Sequence, residues 1–411
     1  MDIRATALQS MPMGAHFLRR MDWLGASRAG GYLRLLALLN VVMLAALVGT
    51  SHRGIDRNGF LLGSDFISFW TTGRMLHTDA SPYDGAAHIA AQRTYFASAT
   101  GYTAFFYPPS FLPLCWSLGL FGYFPALAAW LAATGAVYVA AVRTWWRDAG
   151  IDAPLWLLVL AFPAVPIVIT HGQTAFLVAG LLGLGIWLVP TRPLLAGALL
   201  GLATIKPQFG VLLPLVLLTT REWKVIAAAA VTALGLTAFS AAVFGLEAWP
   251  DWLAASGRAQ DAMAAGAVGY AKMGSPFAAL KLLGAPTSAA YLVQGAVSLS
   301  VAAMLVRAAW GKRWSPALGA ATLVAAPLVT PFVLDYDLVL LAFPLLWLAG
   351  RGQHARFADW EKLAIVLAFA APAFGRPVAM NLGVPLMPPV LVLLFWVTWR
   401  RCLETKPSRH A

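Results

Sequence analysis

The chain alternates long apolar stretches with short polar or basic connections. Continuous apolar windows fall at 33–49, 105–121, 124–142, 154–169, 173–189, 193–219, 224–244, 286–306, 316–331, 337–350, 362–375 and 384–400. About 20 apolar residues carry a helix across a hydrocarbon core of about 30 Å. In lipid, a spanning segment must satisfy its own backbone hydrogen bonds, and a helix does so. The pattern therefore predicts about twelve transmembrane helices in a single all-α polytopic domain, residues 1–411. The window 193–219 is too long for one straight helix, and Lys206-Pro207 should kink it because proline lacks the backbone donor.

Two polar stretches interrupt the pattern. Residues 50–104 hold Arg53, Asp56, Arg57, Asp65, Arg74, Asp79, Asp84 and Arg93, a balanced charge set that suits a translocated loop. Residues 245–275 mix Trp249 and Trp252 with Glu247, Asp251, Arg258, Asp261 and Lys272, the make-up of an interfacial segment. In the first stretch Ser64 is a good N-cap, and Phe66, Phe69 and Trp70 share a helical face. A short helix at the outer membrane surface is expected there. A second interfacial helix is expected from Ala86 to Phe96, with Asp84 as its cap.

Composition narrows the class. With 60% hydrophobic and only 11% charged residues, the chain belongs in a membrane. The net charge of +12 comes from 29 Lys and Arg scattered over loops and termini, a distribution that fits cytoplasmic retention and argues against nucleic acid. A basic start that includes Arg4, Arg19 and Arg20 precedes the first window without a small-residue cleavage site, so an uncleaved first span is expected. With an even number of spans, Arg221 with Lys224, Arg307 with Lys312 and Arg313, Arg351 with Arg356, and the tail Arg400, Arg401, Lys406 and Arg409 all lie inside. Arg143 and Arg147 fall outside in that count, so either 105–190 contains a re-entrant segment or this loop is an exception. The two cysteines, Cys115 and Cys402, imply no disulfide framework.

The candidate chemistry is carboxylate and amine chemistry. Asp65, in the first turn of a helix at a poorly solvated interface, is suited to act as general base toward a hydroxyl, the alternative being a cap of that helix. Lys206 lies deep in an apolar window, where an ionisable residue is costly unless paired or functional; the alternative is snorkelling to an interface. His171 and Gln173 can bind a sugar hydroxyl or cap the following helix. Asp335 and Asp337 flank Tyr336 after Thr330-Pro331, where two loop carboxylates either help hold a sugar or a metal or stay solvated. No His or Cys cluster has metal spacing and no glycine-rich phosphate loop is present, so no metal site and no cofactor is expected.

The order of SDF at 64–66, SPYD at 81–84, FFYPPS at 105–110, HGQTAFL at 171–177 and RPLLAGALLGLATIKPQFG at 192–210 resembles glycosyltransferase family 87, polyprenol-phosphate-mannose-dependent mannosyltransferases of the C-type fold. The likeness is carried by residues 60–220. It implies a multi-pass enzyme of the bacterial cytoplasmic membrane whose active site faces the periplasm. The implied reaction moves a hexose, mannose above all, from a lipid-linked donor to a lipid or glycan acceptor. It further implies Asp65 as the base and Lys206 near the donor phosphate; Tyr83, Tyr107, His171, Gln173, Asp335 and Asp337 are the remaining substrate-binding candidates. Phe69-Trp70 stands where relatives often have two tyrosines, which removes two hydroxyls. The competing class is a transporter or flippase for a lipid-linked sugar, which would also use an intramembrane lysine and broken helices.

Overall fold

The computed structural model describes residues 13–78, 80–96 and 102–404. Arg4, Asp79, Lys406 and Arg409 lie outside the described residues. The described chain is helical throughout, apart from isolated bridges. A short helix α1 (Met13–Arg20) leads into α2 (Ala26–Gly49), and the polar stretch that follows holds α3 (Phe66–Leu76) and α4 (Gly85–Tyr95). Next come α5 (Leu112–Leu118), α6 (Tyr123–Ala149), α7 (Leu155–Ala161), α8 (Ala164–His171) and α9 (Ala175–Leu188). They lead on to α10 (Pro193–Leu202), α11 (Leu213–Thr219), α12 (Trp223–Phe244), α13 (Ala248–Ala264) and α14 (Pro276–Leu282). The chain closes with α15 (Thr287–Ala309), α16 (Pro316–Val329), α17 (Ala342–Ala355), α18 (Glu361–Leu382) and α19 (Met387–Glu404).

Five of these, α2, α6, α12, α15 and α18, are long and apolar enough to cross a membrane. Their outward faces are apolar: on α12, Val231 is 71% and Leu234 68% exposed. A surface of that kind is stable against lipid and not against water.

Three predicted windows are broken rather than continuous. In 105–121 only a 3₁₀ turn, Pro109–Phe111, and the seven-residue α5 form, too short together to cross. In 154–169 the chain breaks at Phe162-Pro163, because the residue before a proline is driven out of the helical region. The Asn40 side chain donates to the freed carbonyls of Leu160 (2.8 Å) and Ala161 (3.3 Å).

In 193–219 the Lys206-Pro207 break does more than kink the helix. Gly197 packs on Val225 and Ala228, and Gly201 on Ala229 and Thr232, so α10 and α12 run in the same direction. The chain therefore returns through α11 between them, and Lys206 sits at the turn of a helical hairpin.

The bundle has two ends. At one, Tyr123 at the start of α6 places its hydroxyl 2.8 Å from the carbonyls of Leu62 and Gly63. At the other, Ala149 at the end of α6 lies against Gly350 and accepts from His354 at 3.3 Å. The ion pairs Arg19–Asp359 and Arg401–Glu361 and the Lys312 to Cys402 carbonyl bond belong to that far end. Arg143 and Arg147, assigned to the outer side by counting windows, thus lie at the basic far end. The window 105–121 was counted as a crossing, and α5 cannot make one.

The polar stretches differ from expectation. Helix α3 is not an interfacial helix with one apolar face: Phe66 through Gly73 are all buried, Thr71 and Thr72 included. Its neighbours surround it, with Gly73 against the backbone of Cys115 and Gly119 at the end of α5. Ser64 is not its cap; Asp65 holds the cap position and its side chain caps nothing. Asp84 does cap α4, accepting from the amides of Ala86 (2.9 Å) and Ala87 (3.1 Å). The second polar stretch docks on the first, Trp252 donating to the Phe106 carbonyl (3.1 Å), Arg258 to that of Tyr83 (2.9 Å) and Ser81 to Asp251 (3.1 Å).

His88 joins α4 to α3. It is fully buried, Nε2 3.3 Å from the Ser68 carbonyl and 3.2 Å from the Thr72 hydroxyl, with Gln92 Nε2 3.3 Å from Nδ1. Burial pushes this imidazole down to about 4. Because the folded value is below the unfolded one near 6.5, the stabilisation is complete above pH ~6.5 and is lost as pH falls toward 4. The full effect is on the order of 3 kcal/mol. Proteolysis of the 50–104 stretch should accelerate across that window in wild type and lose this pH dependence in His88→Gln; an unchanged profile in the variant would rule His88 out as its source.

Candidate functional site

Residues 63–65 are fixed against the end of α8 by two backbone bonds, Gly63 N to the Thr170 carbonyl (3.0 Å) and Asp65 N to the His171 carbonyl (2.9 Å). Helix α8 stops at Gly172, which adopts a left-handed conformation (φ 65°). No other residue fits, since a Cβ there would stand 2.6 Å from that of Phe66. This turn swings the next residue, Gln173, round to face Asp65.

Gln173 is buried and its amide is the hub of the site. Its Nε2 donates to Asp65 Oδ2 (2.8 Å) and to the Tyr336 hydroxyl (3.1 Å). Its Oε1 accepts from the Tyr107 hydroxyl (2.9 Å) and from the Thr174 amide (2.9 Å). Tyr107 also meets the Thr174 hydroxyl at 2.9 Å. With both donors and both acceptors occupied, the amide has one orientation. One carboxylate oxygen of Asp65 is thereby held. The other, Oδ1, meets only the Ser64 hydroxyl among the described residues, at 3.4 Å, and Asp65 is partly exposed. A hydroxyl approaching Oδ1 finds an oriented acceptor that no helix amide has claimed.

Beyond Tyr336 lies a buried ion pair. Lys206 Nζ is 2.5 Å from Asp337 Oδ1, and the two side chains are 5% and 2% exposed. Asp337 Oδ2 accepts from the Leu334 amide (3.1 Å), and the ammonium lies 5.2 Å from the ring centroids of both Phe209 and Tyr336. Lys206 does not snorkel: it is buried and paired with Asp337.

The expectation of solvated loop carboxylates also fails, because Asp335 and Asp337 are both buried on a 3₁₀ turn, Asp335–Leu341. Asp335 Oδ1 accepts from the Tyr336 amide (2.9 Å), and Oδ2 is 3.8 Å from Arg376 on α18.

His171 packs on Tyr336 with ring centroids 5.7 Å apart, its Nδ1 2.8 Å from the Ile167 carbonyl. Nδ1 therefore carries the proton in the neutral ring, leaving Nε2 as an acceptor. The hydroxyl of Tyr83 is spent on the Tyr107 carbonyl (3.0 Å), so Tyr83 supports the site from behind. Asp65, Tyr107, Gln173 and Tyr336 thus form one hydrogen-bonded network, with the Lys206–Asp337 pair against the Tyr336 ring and His171 and Asp335 along its edge. Thr174, Tyr336 and Arg376 were not foreseen as parts of it; Tyr336 was marked only by standing between two aspartates. A cavity of about 310 Å³ opens at the far end, between Trp145, Trp347, Arg351 and His354, and takes no part in this network.

An apolar helical bundle with a charged network at one end is an integral membrane protein. The sequence profile of glycosyltransferase family 87 matches residues 105–331, just over half of the chain, and the chain belongs to that family. It is a membrane glycosyltransferase. No curated protein and no solved structure matches it. The family match starts well after residue 60 and runs far past 220, so it covers Tyr107, His171, Gln173 and Lys206 but neither Asp65 nor the Asp335–Asp337 turn. The functional weight of those residues rests on their geometry.

Proposed function

We propose that this protein transfers a hexose, mannose in the first instance, from a polyprenyl-phosphate sugar to an acceptor hydroxyl on a lipid or glycan. The observation that carries the reading is the Asp65 carboxylate, uncapped, partly exposed and held through one oxygen by Gln173. The acceptor oxygen attacks the anomeric carbon while its proton passes to Asp65 Oδ1. The bond from that carbon to the phosphate oxygen breaks, and the electron pair leaves with the lipid phosphate. A single displacement inverts the centre, so a β-linked donor gives an α-glycoside. The leaving group gains one negative charge, which a nearby cation stabilises.

The helices suit a C-type arrangement in which ten of the twelve predicted windows cross, 154–169 as paired half-helices, while 105–121 does not cross and 193–219 forms a hairpin. The basic far end suits the cytoplasmic face of a bacterial inner membrane, and the Asp65 end then faces the periplasm. A cysteine placed at Asn58, near that end, should react with an impermeant thiol reagent on intact spheroplasts; protection would reverse the orientation.

The direct test is transfer of labelled mannose from polyprenyl-phosphate mannose to lipid extract by the purified protein in proteoliposomes. Transfer establishes the donor class. Passage of donor across the bilayer without transfer would favour a lipid-sugar translocator, which the buried Lys206–Asp337 pair would also serve.

A further inference from the structure

Resting on the lipid-phosphate donor just proposed, we infer that Arg376, and not Lys206, is the cation that meets the donor phosphate. Arg376 lies on α18, an apolar helix long enough to cross a membrane, between the two prolines inside it, Pro372 and Pro377. A charged side chain there is expensive and marks a functional site when its charge is not otherwise used. The guanidinium makes no hydrogen bond among the described residues; its one ionic contact, to Asp335 Oδ2, is 3.8 Å, beyond hydrogen-bond reach. Its side chain is 32% exposed, whereas that of Asp335 is 5% exposed. The guanidinium is therefore drawn toward a buried carboxylate by charge alone, and its donor edges stay open to receive a phosphate.

The other cations near the network are committed elsewhere or lie outside it. Lys206 is closed in by Asp337, Phe209 and Tyr336. Arg258 donates to the Tyr83 carbonyl, and Arg74 to that of Gly119. Lys272, on the 3₁₀ turn Tyr270–Lys272, is exposed.

Position supports the same role. Asp335 is next to Tyr336, which shares Gln173 with Asp65, so base and guanidinium border the same site from different elements. One turn on from Arg376 and on the same side of α18, Met380 (64% exposed) turns outward, an apolar surface against which a prenyl chain can lie while its phosphate reaches the guanidinium. The phosphodiester becomes a phosphomonoester as it leaves, so the extra charge develops within reach of this fork.

The test is binding of polyprenyl phosphate, with polyprenol lacking the phosphate as control, to detergent-purified wild type, Arg376→Gln, Arg376→Lys and the double variant Asp335→Asn/Arg376→Gln. The double variant leaves no buried carboxylate unpaired, which separates loss of folding from loss of the ligand. Losing a charged hydrogen-bond donor should weaken phosphate-lipid binding about tenfold or more in both glutamine variants, with a smaller loss for lysine and no change for polyprenol. Wild-type affinity in the double variant would overturn the role of Arg376 while leaving the donor class intact. A wild type that binds polyprenol and polyprenyl phosphate equally would overturn the donor class and this inference together.

Discussion

Asp65→Asn should lower sugar transfer by about 10²- to 10⁴-fold, the usual contribution of a general base, while leaving donor binding and folding in place. The substitution is isosteric, and the amide oxygen it introduces can still accept from Gln173 Nε2, so the bond that orients the side chain survives. What disappears is a group able to take up a proton. The substitution also removes no cap from α3, because Asp65 makes no capping bond, and a loss of activity cannot be assigned to fraying of that helix. The reading is checked by initial rates in proteoliposomes alongside donor binding; full activity in the variant would show that the base is another residue. Weakened binding together with lost transfer would instead point to Asp65 as a contact to the sugar.

The apolar windows located the helices well because membrane burial leaves so strong a mark on composition. The long helices α2, α6, α12, α15 and α18 all coincide with windows read from the sequence. Hydropathy could not say which windows cross. The stretches around α5 and the hairpin of α10 and α11 are as apolar as true spans, and only packing reveals that one is too short and the other doubles back. Proline marked the second break correctly at Lys206-Pro207 but does not encode the angle. Asp84 was readable as a cap because capping is local chemistry. The fates of Asp65, Asp335 and Asp337 were not readable, since each depends on a residue far along the chain: Gln173 for Asp65, Arg376 for Asp335, Lys206 for Asp337. Sequence pattern carries local periodicity and end signals; it does not carry which distant side chain arrives opposite a carboxylate. The resemblance to family 87 supplied Lys206 with a ligand role, and the structure adds a buried pairing with Asp337 that the sequence did not announce.

Lys206→Met should therefore destabilise the fold rather than selectively weaken donor binding. The substitution leaves Asp337 buried with a charge and no counter-ion, and breaking one side of such a pair costs about 3–5 kcal/mol. Asp337 would keep only the Leu334 amide, and the 3₁₀ turn that presents Tyr336 to Gln173 would lose its anchor on the α10–α11 hairpin. Removing both charges tells the two roles apart. The double variant Lys206→Met/Asp337→Leu replaces the pair with apolar groups, a change that is often neutral or stabilising in a buried site. Thermal unfolding in detergent should show a large loss for each single variant and substantial recovery in the double one, with polyprenyl phosphate still bound by the recovered protein. A Lys206→Met protein of wild-type stability that no longer binds the lipid phosphate would give the ammonium the ligand role and remove it from Arg376; recovery of stability without recovery of binding would say the same. Coupling of this size between residues 131 positions apart would instead identify the pair as the clasp that holds the hairpin against the turn carrying the site.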